Sequence, residues 1–264
     1  MISFLNINEM MDIKLTKDPI VLIDCSYYIF YRYFATKKWI TFQKDNTDID
    51  FIDSFNKHFV NDMKKICRKF KTKNHNIYFG VDCIRNTIWR NEYLDSYKKQ
   101  RVDNPDFNRD IFDYFKTTIV TEHKLKLISC NKLEADDVIA LIHNRIKDKT
   151  DVVIITNDSD YVQLKDDNTT IINMQLKDIT LKYNINNYSI YKALVGDKSD
   201  NIKRVGKITK VQAENLITES LSDIELWLTD NNLLTEFNNN MRLIDFKYIP
   251  EDLINNLFSN INII

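Results

Sequence analysis

Glycine is scarce in this chain, at 3 residues in 264, where about 7% is usual. Gly80, Gly196 and Gly206 stand too far apart for a dinucleotide-binding G-x-G-x-x-G turn or a G-x-x-x-x-G-K-[ST] phosphate loop, so the commonest nucleotide-binding readings are excluded. Proline is equally rare, at 3 residues. The 4 cysteines, Cys25, Cys67, Cys83 and Cys130, show no C-x-x-C spacing and mostly flank apolar runs. They read as buried thiols in a reducing compartment, not as a disulfide frame. No stretch of about 18 apolar residues occurs, so no membrane-spanning helix is expected. Residues 1–18 carry Glu9, Asp12 and Lys14 and lack a basic start followed by a clean apolar run. No secretion signal is expected from them, and the location reads as intracellular. A dominant charge sign is missing too. With 37 Lys and Arg against 38 Asp and Glu, nothing global announces the basic footprint of a nucleic-acid binder.

What is present fits a globular protein, with 44% hydrophobic and 28% charged residues. Short β-branched runs, Pro19-Ile-Val-Leu-Ile-Asp24, Asn76-Ile-Tyr-Phe-Gly-Val-Asp82, Leu125-Lys-Leu-Ile-Ser129 and Asp151-Val-Val-Ile-Ile-Thr156, have the length of buried strands. Between them, Ile52, Phe55, Phe59, Met63, Ile66 and Phe70, and again Val138, Leu141, Ile142 and Ile146, recur at helical steps. This alternation predicts an α/β fold with a mostly parallel central sheet and flanking helices. Residues 170–174 and 178–183 read as a later antiparallel pair, and the pattern becomes all helical after about 185. The expected division is an α/β core over 1–184 and a helical region over 185–264. Within the core, residues 99–130 read either as an arch or gateway over a site or as a plain surface helix and loop. The basic stretch from Lys64 to Lys73 reads first as the polar face of an amphipathic helix.

Three apolar strands end in aspartate, at Asp24, at Asp82 and at Asp158-Ser-Asp160. In an open parallel sheet the carboxyl ends of strands are where sites form, so these side chains are expected to converge. Glu134-Ala-Asp136-Asp137 opens a helix after the third strand. Each group alone is ordinary capping, since acids favour a helix N-terminus. Together they would repel one another unless cations or protons compensate. Oxygen ligands without a neighbouring His or Cys set suit magnesium or manganese. Carboxylate-held metal pairs stabilise in-line displacement at a phosphodiester. A fifth acidic element, Gly196-Asp197-Lys-Ser-Asp200-Asn201, is followed at once by Lys203, Arg204, Lys207 and Lys210, cations suited to a phosphate backbone.

In order and spacing, these motifs resemble those of the 5' nuclease superfamily of flap endonucleases and 5'-3' exonucleases, over about residues 19–258. The phage ribonuclease H type is the most similar, in its Tyr97-Lys98-Lys99 segment and in Leu243-Ile-Asp-Phe-Lys-Tyr-Ile-Pro250. The resemblance implies two Mg2+ ions, with Mn2+ able to substitute. Asp24, Asp82, Glu134 and Asp136 would form the tighter site, Asp158, Asp160 and Asp197 the second, with Asp137 and Asp200 as outer ligands. It assigns Lys98 and Arg101, at the base of an arch, to the scissile phosphate and Tyr97 to a base near the 5' end. Trp89-Arg90 precedes them, with Arg90 in reach of the phosphate backbone and Trp89 in the core. The helical region would be a helix-hairpin-helix-like duplex-binding module packed on the core. There the family's G-D-x-S-D-N-x-P-G-V-x-G-I-G loses its proline and most glycines, which shifts duplex grip onto Lys203, Arg204, Lys207 and Lys210.

The implied activity is two-metal hydrolysis of phosphodiesters at 5' ends, flaps or RNA primers in replication or repair. Implied partners are DNA as a 5' flap or as a nicked or gapped duplex, an RNA-DNA hybrid, and a sliding clamp or single-strand-binding protein, although no Gln-led clamp motif stands near residue 264. The chain is expected to be a monomer at a replication site. Two alternatives stand beside this: a DNA-binding homologue without turnover, disfavoured because no acid of the core set is missing, and a ribonuclease of the PIN type, whose domains lack the G-D-x-S-D-N module. With the nine acids assigned to the centre, the rest of the chain is net positive, so the near-neutral total conceals a basic protein around an acidic pocket.

Overall fold

Short β-branched runs and amphipathic segments fold into a five-stranded parallel sheet with helices on both faces. The computed structural model describes residues 11–43, 49–102, 104–183 and 187–263. In chain order the first elements are β1 (Met11–Ile13), β2 (Ile20–Asp24), α1 (Cys25–Thr41), α2 (Phe51–Phe70), β3 (Ile77–Gly80), α3 (Asp110–Tyr114) and α4 (Val120–His123). There follow β4 (Lys126–Ile128), α5 (Ala135–Ile146), β5 (Val152–Ile155), β6 (Thr169–Ile172) and α6 (Tyr188–Val195). The rest is α7 (Lys210–Leu216), α8 (Leu221–Asp230), α9 (Leu234–Ile244), α10 (Glu251–Ser259) and β7 (Ile261–Ile263).

The sheet order is β4-β3-β2-β5-β6, with β2 central and every neighbour parallel. Side chains alternate along a strand. Ile20, Leu22, Tyr78, Val152 and Ile154 therefore pack with Val138, Ile139 and Ile142 of α5 on one face. Val21, Ile23, Ile77, Phe79, Val153 and Ile155 pack on the other with Tyr28, Ile29, Phe55 and Phe59 of α1 and α2. Burial of both faces explains why these strands read as continuous apolar runs. α5 lies so close to β3 that a Cβ on Gly80 would stand 2.7 Å from Ile139 Cγ1. On α2 the basic residues Lys64, Lys65, Arg68 and Lys69 stay exposed while Met63 and Ile66 are buried, as an amphipathic helix requires.

Two expectations change. Residues 178–183 form no strand. β6 joins the sheet parallel to β5, and only an isolated antiparallel bridge links Ile172 to Asp178. A 3-10 turn at Thr180–Lys182 follows, leaving Leu181 85% exposed where a paired strand would cover it. Residues 110–123 run as one continuous helical stretch through α3, a π-turn at Phe115–Ile119 and α4. Ile111, Phe115 and Ile119 bury it against α1 and the sheet. The helical part of the supposed arch is thus core.

The expected boundary at 184 and 185 lies outside the described residues. Beyond it, Ala193, Leu194, Val205, Ala213, Ile224, Leu228 and Phe237 build a separate apolar core. Leu253 and Leu257 of α10 return to the α5 face of the sheet, and β7 pairs in parallel with β1, tying the two ends of the described chain. The four cysteines are free, with Cys25 buried and the rest half-buried. Among the described residues no helix is long and apolar enough to cross a membrane.

Candidate metal centre

From central β2 the chain runs outward through β3 to β4 and then crosses over to β5 on the other side of β2, so the winding reverses between β2 and β5 and opens a crevice at the carboxyl ends of these strands. Asp24 is the last residue of β2, in register with Gly80, and Ile23 is in register with Ile155, so the segments carrying Asp82 and Asp158 leave the sheet beside it. Asp24 caps α1 by accepting from Tyr27 N at 2.9 Å, and its other oxygen accepts from Tyr161 Oη at 3.3 Å. Asp82 accepts from Ser26 Oγ at 2.5 Å and from Ala135 N at 2.9 Å, which joins the β3 end to the start of α5. Asp158 accepts from Asp160 N at 2.9 Å.

Among the described residues, no Lys or Arg pairs with Asp24, Asp82, Asp136 or Asp158. Desolvation in the crevice and the neighbouring Asp82 and Asp158 carboxylates push the Asp24 carboxyl up to about 7. Asp136, at the α5 N-terminus, is held well above the usual carboxylate range by desolvation and by Asp137 and Glu134.

Glu134 is the N-cap of α5 and shares a capping box with Asp137. Its Oε1 accepts from Lys98 Nζ at 2.6 Å, and its Oε2 from Arg90 Nη1 at 3.0 Å and Tyr97 Oη at 2.9 Å. Burial would raise the Glu134 carboxyl, but Lys98 and Arg90 overcome it and hold it below its ordinary value. Asp137, wholly buried, takes the Arg90 guanidinium at 2.7 and 2.8 Å and Trp89 Nε1 at 3.0 Å. Glu134, Asp136 and Asp137 each offer an oxygen within 4.8 Å of the others.

A second group of oxygens with the same closeness comes from Asp160, Asp197 and Asp200. The loop that carries the last two depends on Gly196, at φ +73, where a Cβ would stand 2.5 Å from Arg204 N. A bridge between Asp197 and Ile202 closes the loop. Asp197 accepts from both Ser199 N and Ser199 Oγ at 2.7 Å. Here cations are plentiful. Lys192 Nζ pairs with Asp160 and, at 2.6 Å, with Asp197. Arg101 Nη2 lies 2.5 Å from Asp200, and Lys98 3.6 Å from its other oxygen. Burial raises the Asp197 carboxyl, but Lys192 and Ser199 bring it below its ordinary value.

The structure therefore brings all nine sequence-predicted acids to one end of the sheet, with differing environments. Every donor is a carboxylate oxygen and no His or Cys joins them, a set that fits hard divalent cations. Several expected surface roles are corrected. Tyr97 is 3% exposed with its hydroxyl on Glu134 and Asp200, so its ring is not open to a base. Lys98 is buried in the same network, and only Arg101 of that trio is substantially exposed. Arg90 is 2% exposed and also donates to Leu243 O at 2.7 Å, which removes it from any backbone contact. Asp137, expected as an outer ligand, has both oxygens engaged by Arg90 and Trp89. Trp89 packs in the core as expected.

Lys203, Arg204, Lys207 and Lys210 are exposed around the Gly206 turn, beside a cavity of about 600 Å³ lined by Tyr93, Glu236, Asn239 and Arg242. Sequence reasoning missed Lys192, Ser26 and Tyr161. For Lys192 a signal existed: a lone cation within an otherwise largely apolar helix, five residues before an acidic loop.

Comparison with known proteins adds to this geometry. Residues 19–192 match the family described as 5'-3' exonuclease, N-terminal resolvase-like domain. A 5'-3' exonuclease of Buchnera aphidicola subsp. Schizaphis graminum is 31% identical, the match covering 73% of this chain and 67% of that protein. Ribonuclease H of Enterobacteria phage T4 is 28% identical over 77% of this chain and 75% of its own. Among solved structures, a flap endonuclease of bacteriophage T5, in a pseudo-enzyme-product complex with DNA and metal ions, superposes with a TM-score of 0.64. It is 17% identical, with 91% of this chain and 97% of that chain covered, and so attests the fold.

Proposed function

The chain belongs to the 5'-3' exonuclease family, and we propose that it is a structure-specific enzyme of that family, cleaving at 5' flaps, nicked or gapped duplexes and RNA primers paired to DNA. It is a metal-dependent 5' nuclease that binds divalent metal and DNA. The observation that carries the finer reading is the convergence of Asp24, Asp82, Asp136 and Asp158 at the switch point of a parallel sheet, where none of the four is ion-paired with a Lys or Arg among the described residues. Such crowding of carboxylates is relieved by retained protons or by positive charge supplied from outside, and a divalent ion supplies the latter.

In this reading Asp24, Asp82, Glu134 and Asp136 would hold one Mg2+, and Asp158, Asp160 and Asp197 a second, with Asp200 as an outer ligand. When bound, the ions neutralise charge that builds on the attacked phosphodiester. The chain's own groups orient the rest. Ser26 and the α5 N-terminus fix Asp82, and Tyr161 fixes Asp24. Arg90 and Asp137 lock Glu134 in place from the buried side. Arg101, exposed beside Asp200, is positioned to take a phosphate oxygen, with Lys98 behind it to offset negative charge. Residues 188–244 would grip duplex through Lys203, Arg204, Lys207 and Lys210, a helix-hairpin-helix-like role.

The RNA-DNA arm of the proposal rests on the phage T4 relative, itself described as a ribonuclease H. A panel of flap, nicked, single-stranded and RNA-DNA substrates, with products read at nucleotide resolution, tests the reading. Magnesium-dependent release from 5' ends of flap and hybrid is expected. Cleavage of single strands alone, or products counted from the 3' end, would overturn it.

A further inference from the structure

The two halves of the acidic centre are electrostatically unlike. Among the described residues Asp24, Asp82 and Asp136 pair with no Lys or Arg and Glu134 takes Arg90 and Lys98 from its buried side, whereas in the second group Lys192 pairs with both Asp160 and Asp197 and Arg101 with Asp200. Lys192 is the most intimate of these. Its side chain is 9% exposed on α6, and its ammonium group sits between Asp160 Oδ1 and Asp197 Oδ2, on two of the three carboxylates that could hold a divalent ion there. An ammonium ion and a hard divalent cation compete for the same lone pairs, because a Lys nitrogen offers three donors and no acceptor. Held on the same two carboxylates, the ammonium and a divalent ion also repel each other, so filling the site works against the Lys192 contacts.

We infer that Lys192 is a built-in counter-cation of the second carboxylate group, which a divalent ion must displace from Asp160 and Asp197. This makes the two divalent sites unequal and makes Lys192 the residue that sets the weaker one. It rests on the metal-centre reading above and goes beyond it. With the ammonium in place, half the charge of Asp160 and Asp197 is offset without metal, which favours a folded acidic loop when only the first site is filled. Displacement frees a cation at the rim of the second site at the moment that site is filled.

The test is a direct titration of Mn2+ into the whole chain without nucleic acid, with free Mn2+ read by electron paramagnetic resonance. Wild type is expected to show one tight and one weak class of site. Lys192→Met, which keeps length and removes charge, should tighten the weak class at least tenfold (about 1.4 kcal/mol) and leave the tight class nearly unchanged. Lys192→Arg should restore weak binding. Asp24→Asn should loosen the tight class and mark it as the other half. An unchanged or weakened second class in Lys192→Met would overturn the inference. Should Lys192→Met not fold, amine acetylation of wild type followed by mass spectrometry decides. Lys192 reactivity should rise at least tenfold once the second class fills, and unchanged reactivity at saturating Mn2+ would overturn the proposal. A wild-type chain that takes up no Mn2+ would overturn the metal-centre reading itself, and the inference with it.

Discussion

Arg90→Met removes the cation that holds the buried side of the centre together. The guanidinium is 2% exposed and donates to Glu134, to both oxygens of Asp137 and to Leu243 O at the end of α9. Its loss strands Asp137, which is 0% exposed and has only Trp89 Nε1 and its own capping contact left. Glu134 keeps Lys98 and Tyr97. Breaking a buried ion pair from one side costs about 3–5 kcal/mol, because the remaining charge is desolvated and uncompensated. For a chain of this size that corresponds to a fall in Tm of roughly 6–20 °C. Urea unfolding followed by tryptophan fluorescence measures it, with Trp89 lying against the site. Arg90→Met combined with Asp137→Leu should recover part of the loss, since replacing both partners with apolar groups removes the orphaned charge. A loss below about 1 kcal/mol, or strictly additive single variants, would refute the claim that these groups act as one buried unit.

Other expectations follow from the same geometry. Asp24 titrates near 7 instead of near its ordinary 3.8, so between those values the folded chain binds a proton that the unfolded chain has released. Without divalent ions, stability should therefore fall as pH rises from about 4 to about 7. Added Mg2+ should raise Tm more at pH 8 than at pH 5, and equal gains at both would contradict this. Each of Lys203→Ala, Arg204→Ala and Lys207→Ala should flatten the slope of log affinity for duplex against log salt by about 0.9. An unchanged slope would remove that residue from the phosphate contacts. Gly196→Ala forces a Cβ to 2.5 Å from Arg204 N at a φ of +73, so it should cost at least about 1–2 kcal/mol and weaken metal uptake by the Asp197 loop. Wild-type unfolding of that variant would show that the loop does not need glycine.

Much of this architecture was legible in the sequence because the signals were local. Continuous apolar runs leading into Asp24 and Asp82, and the helix opened by Glu134, Asp136 and Asp137, stand where the pattern puts them. The misread segment at 178–183 alternates Ile179, Leu181 and Tyr183 like a strand, yet its pairing with β6 stops at the Asp178 bridge and the bond from Ile179 N to Ile171 O, and Leu181 faces solvent. Cations were harder, because Lys and Arg are seldom buried unless paired. The carboxylates that bury Arg90, Lys98 and Lys192 lie 32 to 47 residues away, apart from Asp197 and Asp200. Such distant pairings leave no local periodicity. The glycine shortage also acquires a structural sense: Gly80 admits α5 against β3, and Gly196 turns the chain into the second acidic group.

The central claim is that this one carboxylate centre, built from strand ends and the Gly196 loop, performs the cleavage. Its most direct test is single-turnover cleavage of a labelled 5' flap in Mg2+, alongside flap binding, for wild type, Asp82→Ala and Asp160→Ala. Either variant is expected to lose roughly a thousandfold or more in cleavage rate, equivalent to about 4 kcal/mol, while still binding the flap. Undiminished cleavage by either purified variant would contradict it.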